Sequence, residues 1–402
     1  MTKPTTPTTP TTPTTSALTT VRLTQPFRIQ HPWIFARIVA KPAERIPPGS
    51  VVEVIGQDGK FVGRGFYNGH ARIGVRLLTT DPNEVVDADF FSRRIKQAIT
   101  WRRDLGLFQK TTGMRLIHSE GDGLSGLIVD LLGDILAIQF TSAGMFRQRE
   151  VIKKVLLEHF PLTRVYWFAE SRIQKQESFD CWEMPAPEPV VIEEQGVRFH
   201  VAVGSKHKTG FFADQRDNRR LLAELCEGKD VLDVCCHSGG FGLYAKVIGK
   251  AKTVTGIDLD DAEALTTARA NATLNNVDIN FHAADAADYM KQAAQRGERY
   301  DVVILDPAKQ TRSADKVDAA LGEYWRLNRL AMQIVKPGGI LLSCSCSGLI
   351  SEEQFLNTIR QAARDERRDA QVFRLSGAAP DHPFLAHVDE GRYLKAVWVR
   401  LL

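Results

Sequence analysis

The chain has 402 residues, of which 43% are hydrophobic and 25% charged, the composition of an ordinary globular protein with two or three domains. No run of about 18 uncharged apolar residues occurs, so a membrane span is not expected, and the N-terminus lacks the pattern of a secretory signal. The six cysteines include no CxxC pair, which argues against a disulfide framework and a zinc or other metal site, and favours the reducing cytoplasm.

The N-terminal part of the chain combines a low-complexity tail with a β-rich module. Residues 1–16 form a Thr/Pro repeat that cannot bury apolar area, so we expect a disordered tail. Residues 17–95 predict a small β-barrel domain from HPWIF (31–35) and a hairpin with an Asp58-Gly59 turn. Between residues 18 and 100, 12 Lys or Arg stand against 7 Asp or Glu, a surplus that suits either a polyanionic partner or an ordinary solvated surface.

Residues 96–188 predict a central α+β domain. Residues 126–140 read as a hairpin around Gly133-Asp134, and residues 145–160 have helical periodicity. A further strand is expected at 164–170, and the segment 190–203 predicts another hairpin that turns at Gln195-Gly196. We place the start of the C-terminal domain, residues 189–402, just before that second hairpin.

The C-terminal domain alternates strands with helices. Such alternation predicts an α/β fold with a doubly wound, Rossmann-like parallel sheet, in which ligands bind at the carboxyl ends of the strands. The predicted strands are 230–235, 253–259, 279–285, 300–306 and 339–345.

Acidic and small residues stand where the first three of these strands end. Asp258 follows Asp233 by 25 residues, where a carboxylate can bind ribose hydroxyls, and Asp285 could accept from an adenine amino group. The absence of G-x-G-x-x-G argues against a dinucleotide, so we expect S-adenosylmethionine as cofactor, although any one of these acids could simply cap a helix. Backbone approach to that ligand is expected at the loop after the first strand, which contains Ser238, Gly239, Gly240 and Phe241.

The last two predicted strands end in residues suited to chemistry, Asp306-Pro307-Ala308-Lys309 and Ser343-Cys344-Ser345-Cys346-Ser347-Gly348. Carbon 5 of a pyrimidine becomes nucleophilic when a thiolate adds to carbon 6, so a cysteine here predicts 5-methylpyrimidine formation. A helix expected to begin near Ser351 would favour the thiolate. The alternative is that both cysteines are small buried hydrophobes, as we expect for Cys235 and Cys236.

With these residues, the chain resembles the bacterial 23S ribosomal RNA large-subunit methyltransferase I family, which makes 5-methylcytosine. The resemblance covers nearly everything after the Thr/Pro tail and implies that the N-terminal barrel is an RNA-binding PUA domain. It therefore implies ribosomal RNA of the 23S type as the partner, and a homodimer is one oligomeric state that we consider. The motifs that carry it are HKTGFFADQRDNR (207–219), DPAK (306–309), SCSG (345–348) and DHPFLAHVDEGRYLK (381–395).

The family's nucleophile position falls on Cys346, and its ribose and adenine contacts fall on Asp258 and Asp285. Gln215 lies in the motif that borders the methionine part of the cofactor, and Asp306 takes the acidic position of the Asp-Pro-Pro motif. Ala308 replaces the second proline of that motif, which would loosen the loop beside the target base. The base that removes the carbon 5 proton is unassigned; His382 is a candidate, and a structural imidazole is an equal alternative.

Two other functions stay open. Methylation at a guanine or adenine nitrogen would leave Cys346 idle, although Lys309-Gln310 lacks the aromatic residue with which adenine enzymes stack their base. A non-catalytic RNA-binding ribosome assembly factor is the second alternative, against which the intact cofactor and thiol positions argue.

Overall fold

The computed structural model of the chain describes residues 18–27, 31–204 and 209–402. The tail predicted for residues 1–16 and the first two residues of the motif 207–219 lie outside this part. Within it the strands form four sheets, and no helix is long and apolar enough to cross a membrane.

The first sheet is the expected small barrel. Its five strands lie in the order β1-β3-β4-β5-β2, and the predicted turn is present, with Gly59 at a φ of +80°. Backbone bonds from Thr24 to Ile38 and from Ala40 to Arg22 curl one edge of the sheet toward the other. The strands are β1 (Thr20–Arg22), β2 (Trp33–Phe35), β3 (Ser50–Ile55), β4 (Phe61–Tyr67) and β5 (Ile73–Thr79).

A long helix, α1 (Ala88–Asp104), follows the barrel, although the sequence signals were β as far as residue 95. The helix begins there because the Asp87 side chain caps it by accepting from the Phe90 N–H at 2.9 Å. Phe90, Phe91 and Ile95 then recur at helical spacing and are all buried.

The central sheet has the order β6-β7-β8-β9 and contains the predicted hairpin at Gly133. The helix predicted over 145–160 is divided at Gln148 into two helices that share this residue as a cap. The elements are β6 (Gly113–His118), β7 (Leu127–Leu132), β8 (Ile135–Phe140), α2 (Ala143–Arg147), α3 (Arg149–His159), β9 (Arg164–Phe168) and α4 (Ser171–Glu177).

The hairpin that turns at Gln195-Gly196 forms a two-stranded sheet of its own, β10 (Val190–Glu194) and β11 (Val197–Val201). It is followed by the Rossmann-like sheet, and the order of that sheet is β14-β13-β12-β15-β16-β18-β17. The elements are α5 (Arg216–Ala223), β12 (Asp230–Val234), α6 (Gly240–Val247), β13 (Thr253–Asp258), α7 (Thr266–Leu274), β14 (Asn280–Ala283), α8 (Ala286–Gln295), β15 (Tyr300–Leu305), α9 (Val317–Ile334), β16 (Val335–Ser345), α10 (Glu352–Asp365), β17 (Ala370–Ser376) and β18 (Lys395–Leu401).

The five predicted parallel strands are present, but the sheet is not wholly parallel. β18 pairs antiparallel with β16 on one side and with β17 on the other. These two strands were not predicted from the sequence. They matter to the site because β18 begins opposite the end of β16, where Lys395 pairs with Ser345.

Candidate functional site

Asp233, near the end of β12, is fully buried. Its Oδ2 accepts from the Gly242 N–H at 2.9 Å, whereas Oδ1 has no hydrogen-bond partner in the described residues. The pKa of Asp233 is raised to about 7, mainly by burial. The hydrogen bond from the Gly242 N–H opposes this rise, and the charges of Asp306 and Asp258 add to it. A buried carboxyl oxygen without a hydrogen-bond partner in the described residues therefore lies near the carboxyl end of the sheet.

The loop after β12 turns sharply before α6 begins at Gly240. Cys235 and His237 both have positive φ, and Gly239 has a φ of +82°, a conformation that favours glycine. A Cβ at Gly239 would stand 3.3 Å from the Phe281 ring, so that ring packs closely under the loop.

The other predicted loop residues help to hold this turn. The Ser238 carbonyl accepts from the Asn271 amide at 3.1 Å, and Phe241 is buried in the core between the sheet and its helices. The small residues of this turn thus let the backbone lie close to the neighbouring strands.

Asp258 and Asp285 occupy the ends of the next two strands. Asp258 is half-buried and accepts from the His237 N–H at 2.9 Å and from the Asp260 N–H at 3.1 Å. Asp285 is exposed, and its Oδ1 caps α8 by accepting from the Ala287 and Asp288 N–H groups. At Asp285, therefore, one carboxylate oxygen caps a helix, which was the alternative considered for the acidic strand ends.

Gln215 and Asp306 are brought together, as the motifs suggested. The Gln215 side chain is buried and donates to Asp306 Oδ2 at 2.9 Å. Its oxygen accepts from Asn218 at 2.6 Å, and Asn218 in turn accepts from the Ser376 hydroxyl at 2.8 Å. Trp398 donates to that same hydroxyl, so a hydrogen-bonded chain from the two antiparallel strands orients Asp306.

The four strand-end carboxylates all lie near Cys235. The thiol of Cys235 has its pKa raised by burial first, and then by the charges of four carboxylates: Asp258, Asp306, Asp233 and Asp285. S-adenosylmethionine carries a sulfonium, an ammonium, two ribose hydroxyls and an adenine amino group, all of which suit carboxylate partners. The residues present therefore fit this cofactor.

The two cysteines of the SCSCSG segment differ in their surroundings. Cys344 lies within β16, is fully buried, and burial raises the pKa of its thiol well above the ordinary value. Cys346 follows the last residue of the strand and is half-buried. Of the two, only Cys346 has a side chain that a substrate can approach.

Ser347 ties the segment that follows β16 to helix α9 and to the loop after Asp306. Its hydroxyl contacts the Tyr324 hydroxyl at 3.1 Å and accepts from the Gln310 N–H at 3.2 Å. The Gln310 side chain also donates to the Ala308 carbonyl at 2.7 Å. These bonds restrain the loop around Ala308, the residue that replaces the proline of the family motif.

Lys395 was missed by the sequence analysis, although it ends the motif 381–395. It is buried, and its Nζ donates to the carbonyls of Ser347 at 2.7 Å and Tyr393 at 2.9 Å. Burial lowers the pKa of Lys395 to about 8, against the opposing influence of Cys346. Tyr324 was also missed, because a tyrosine within an amphipathic helix is indistinguishable in the sequence from a core residue.

His382 lies in a buried polar cluster. Its Nδ1 is 3.1 Å from Asp381 Oδ1, and its ring centroid is 5.0 Å from that of His118, on the central sheet. Burial and the Arg115 charge lower the pKa of His382. These contacts favour the structural interpretation of this imidazole over a role as base.

Comparison with known proteins extends these observations. A family described as S-adenosylmethionine-dependent methyltransferases matches residues 172–400, and a PUA-like domain matches residues 22–80. A solved structure of a protein described as a methyltransferase, complexed with SAH, has a TM-score of 0.79 at 20% identity over 95% of this chain and 99% of its own. That likeness confirms the fold.

Two relatives illustrate the similarity in sequence. The ribosomal RNA large subunit methyltransferase I of Aeromonas hydrophila is 40% identical over 381 residues, which cover 92% of this chain and 95% of the relative. Its counterpart in Shewanella frigidimarina is 39% identical over 382 residues, covering 92% and 96%. The resemblance drawn from the motifs and the choice of S-adenosylmethionine as cofactor are thereby confirmed. The chain belongs to the ribosomal RNA large-subunit methyltransferase I family of S-adenosylmethionine-dependent methyltransferases.

Proposed function

We propose that this protein methylates carbon 5 of a cytosine in 23S ribosomal RNA and that Cys346 is its nucleophile. The observation that carries the proposal is the placement of Cys346: it is half-buried just beyond β16, beside the loop that begins at Asp306. Relatives about 40% identical over most of this chain are named ribosomal RNA large subunit methyltransferase I, which supports the RNA substrate.

The cofactor would be held by the carboxylates of the Rossmann-like sheet. Asp258 suits the ribose hydroxyls and Asp285 the adenine amino group, while Asp233 and the pair Gln215–Asp306 suit the positively charged methionine part. The loop of Ser238, Gly239, Gly240 and Phe241 would bring the backbone close to the same ligand. When bound, S-adenosylmethionine supplies an electrophilic methyl group.

Cys346 makes the cytosine reactive. Its thiolate adds to carbon 6, forming a sulfur–carbon bond and moving an electron pair onto carbon 5, which can then accept a methyl cation equivalent. That pair becomes the bond to the methyl group. A base then removes the carbon 5 proton, and the electrons of the broken carbon–hydrogen bond re-form the 5,6 double bond. The sulfur–carbon bond breaks in the same step, and the thiolate is regenerated.

The RNA must present an unpaired or flipped base, because carbon 6 is hidden inside a helix. We assign RNA capture to residues 17–95 and 96–188, and the chemistry to residues 189–402. On the barrel, Arg37 and Arg72 are both exposed and lie 5.9 and 5.5 Å from the centroid of the Phe35 ring. Such a group suits phosphates and stacked bases, and its binding should weaken with salt.

The test is the identity of the methylated nucleoside. Purified protein is incubated with methyl-labelled S-adenosylmethionine and protein-free ribosomal RNA, with assembled subunits as a second substrate, and the RNA is digested to nucleosides. We expect label in 5-methylcytidine, about 10³-fold less or lower with Cys346→Ala, and near wild-type label with Cys344→Ala. Label in a methylated guanosine or adenosine, or label that Cys346→Ala does not change, would refute the proposal; no label on either substrate would favour a binding factor.

A further inference from the structure

The buried ammonium of Lys395 lies beside the segment that contains Cys346. Lys395 is the first residue of β18 and pairs with Ser345 across the sheet, and its Nζ donates to the carbonyl of Ser347 at 2.7 Å. The residues before and after Cys346 are thus both in contact with Lys395. This arrangement fixes a positive charge next to the thiol.

The ammonium retains capacity for a further partner. Two of its three N–H groups are used by the Ser347 and Tyr393 carbonyls, and the third has no hydrogen-bond acceptor in the described residues. Burying a lysine costs free energy unless its charge is compensated, and neither carbonyl carries a full negative charge. A thiolate at Cys346 would supply that compensation.

Charged groups from several neighbouring elements lie near this pair. Lys395 interacts electrostatically with Cys346, Lys309, Glu352 and Arg392. Glu352 is 3.5 Å from Arg392, so its charge is already compensated, and Lys309 is exposed to solvent. On the thiol side, Tyr324 and Cys344 also interact with Cys346, and both are neutral near pH 7 because burial raises their pKa values.

The helix that was expected to favour the thiolate is present, but its N-terminus supplies less positive potential than Lys395 does. Helix α10 begins at Glu352, and its first turn contains Glu352 and Glu353. Two carboxylates oppose the positive N-terminal end of the helix dipole. Lys395 is therefore the more direct source of positive potential at Cys346.

We propose that Lys395 is the positioning residue that maintains Cys346 as a thiolate and orients it through the Ser347 carbonyl. This inference rests on the proposed role of Cys346 as nucleophile. Ionisation releases the thiol proton to solvent, and the ammonium neutralises the sulfur charge without itself being consumed. Near pH 7 Lys395 is protonated, because its pKa of about 8 lies above that pH.

The test measures the thiol directly and needs neither RNA nor turnover. Alkylation of Cys346 by iodoacetamide is followed between pH 6 and 9.5 by mass spectrometry of the peptide that contains it, in the full-length protein. In the wild type we expect a midpoint below the ordinary thiol value of about 8.5. In Lys395→Gln the midpoint should rise by about one unit, which makes alkylation at pH 7 about tenfold slower.

Two further variants separate charge from fold. Lys395→Arg keeps the positive charge and should keep the low midpoint, whereas Lys336→Gln removes a lysine paired with Asp230 and Asp301 at the far end of β16 and should match the wild type. Equal midpoints in Lys395→Gln and wild type would overturn the inference. If Lys395→Gln does not fold, the wild-type measurement is sufficient by itself: an alkylation midpoint at or above about 8.5 would overturn the inference. Methylation of another nucleoside, with the low midpoint intact, would refute the proposed function but not the effect of Lys395 on the ionisation of Cys346.

Discussion

Two cysteines separated by a single residue show how strongly local surroundings set reactivity. Cys344 is fully enclosed within β16, and burial raises the pKa of its thiol well above the ordinary value. Cys346 lies past the strand end, half-buried and next to a buried lysine. The thiolate is the reactive form, and this difference supports the proposal that Cys346, and not Cys344, attacks the base.

Asp233 provides a test at the same scale. Its pKa is about 7 in the folded protein, compared with about 3.9 for an ordinary aspartate. Because the folded pKa is raised, the carboxyl group's contribution to stability is fully present below the unfolded pKa and is lost as pH rises through 7. Asp233→Asn should therefore raise Tm relative to wild type at pH 8 and raise it less at pH 6, as measured by differential scanning calorimetry without cofactor.

The matched control for this variant is Asp301→Asn, on the neighbouring strand. Burial raises the pKa of Asp301, but the hydrogen bond from the Asp230 N–H and the interaction with Lys336 lower it by more, so the pKa is lowered overall. Its stabilising contribution is present above the unfolded pKa and does not change between pH 6 and 8, so this variant should lower Tm equally at both. A Tm difference for Asp233→Asn that does not depend on pH would show that the carboxyl group is already ionised at pH 6.

Among the elements, helix α10 has a well-formed start close to the site. Ser351 accepts from the Gln354 N–H at 3.1 Å, and the Gln354 side chain accepts from the Ser351 N–H at 2.9 Å. This reciprocal pair satisfies two N–H groups that the helix leaves without intrahelical partners.

Replacing the capping serine should destabilise the protein measurably. We expect Ser351→Ala to lower the free energy of unfolding by about 1 kcal/mol, measured by urea denaturation, because the Gln354 N–H loses its acceptor. Ser351→Asp retains an acceptor at the same position and should stay within about 0.5 kcal/mol of wild type. If both variants lose the same free energy of unfolding, the side-chain acceptor at position 351 does not stabilise the helix start.

Elements with a local signal in the sequence were predictable, whereas elements without one were not. The hairpins at Gly133 and Gln195-Gly196 were predicted because a turn signal stands between two apolar runs. β18 was not predicted, since its place between β16 and β17 depends on pairing across about 50 residues of chain, which no periodicity reveals. The division of one predicted helix at Gln148 has no clear signal in the sequence either.

At the scale of the whole molecule, a buried ionic network joins the central sheet to the Rossmann-like domain. Glu194, at the end of β10, accepts from Arg216 at 3.0 Å and from Arg219 at 2.6 Å. Arg216 also donates to Asp381, which in turn accepts from the backbone N–H of Arg115 on the central sheet. All of these side chains are buried, so each charge depends on its partners.

Removing one partner should therefore be costly. Glu194→Ala leaves two buried guanidinium groups without their shared carboxylate, and we expect a loss of about 3–5 kcal/mol in the free energy of unfolding. The adjacent Glu193 has an exposed side chain, so Glu193→Ala should change the free energy of unfolding by less than about 0.5 kcal/mol. Urea denaturation followed by tryptophan fluorescence measures both; similar small losses would show that the network contributes little.

The candidate site was predictable to the extent that its residues lie at strand ends. The acidic residues at 233, 258, 285 and 306 follow from the β-α alternation, because that pattern fixes where a ligand binds. The alternation placed both Cys344 and Cys346 at the end of the last predicted strand, and only the family resemblance selected Cys346. The residues that adjust them come from far along the chain: Lys395 reaches Ser347, and Ser376 and Trp398 support Gln215 through Asn218. Such contacts depend on tertiary packing, and a single sequence does not encode them in any local pattern.

The central claim is a covalent bond between Cys346 and carbon 6 of a cytosine, and the most direct test is to trap it. A ribosomal RNA transcript containing 5-fluorocytidine has no carbon 5 proton to lose, so elimination is blocked and the adduct persists. With S-adenosylmethionine we expect a denaturant-resistant protein–RNA complex for wild type and Cys344→Ala, and none for Cys346→Ala. An unchanged complex in Cys346→Ala, or no complex from a protein that methylates the unmodified transcript, would contradict the mechanism.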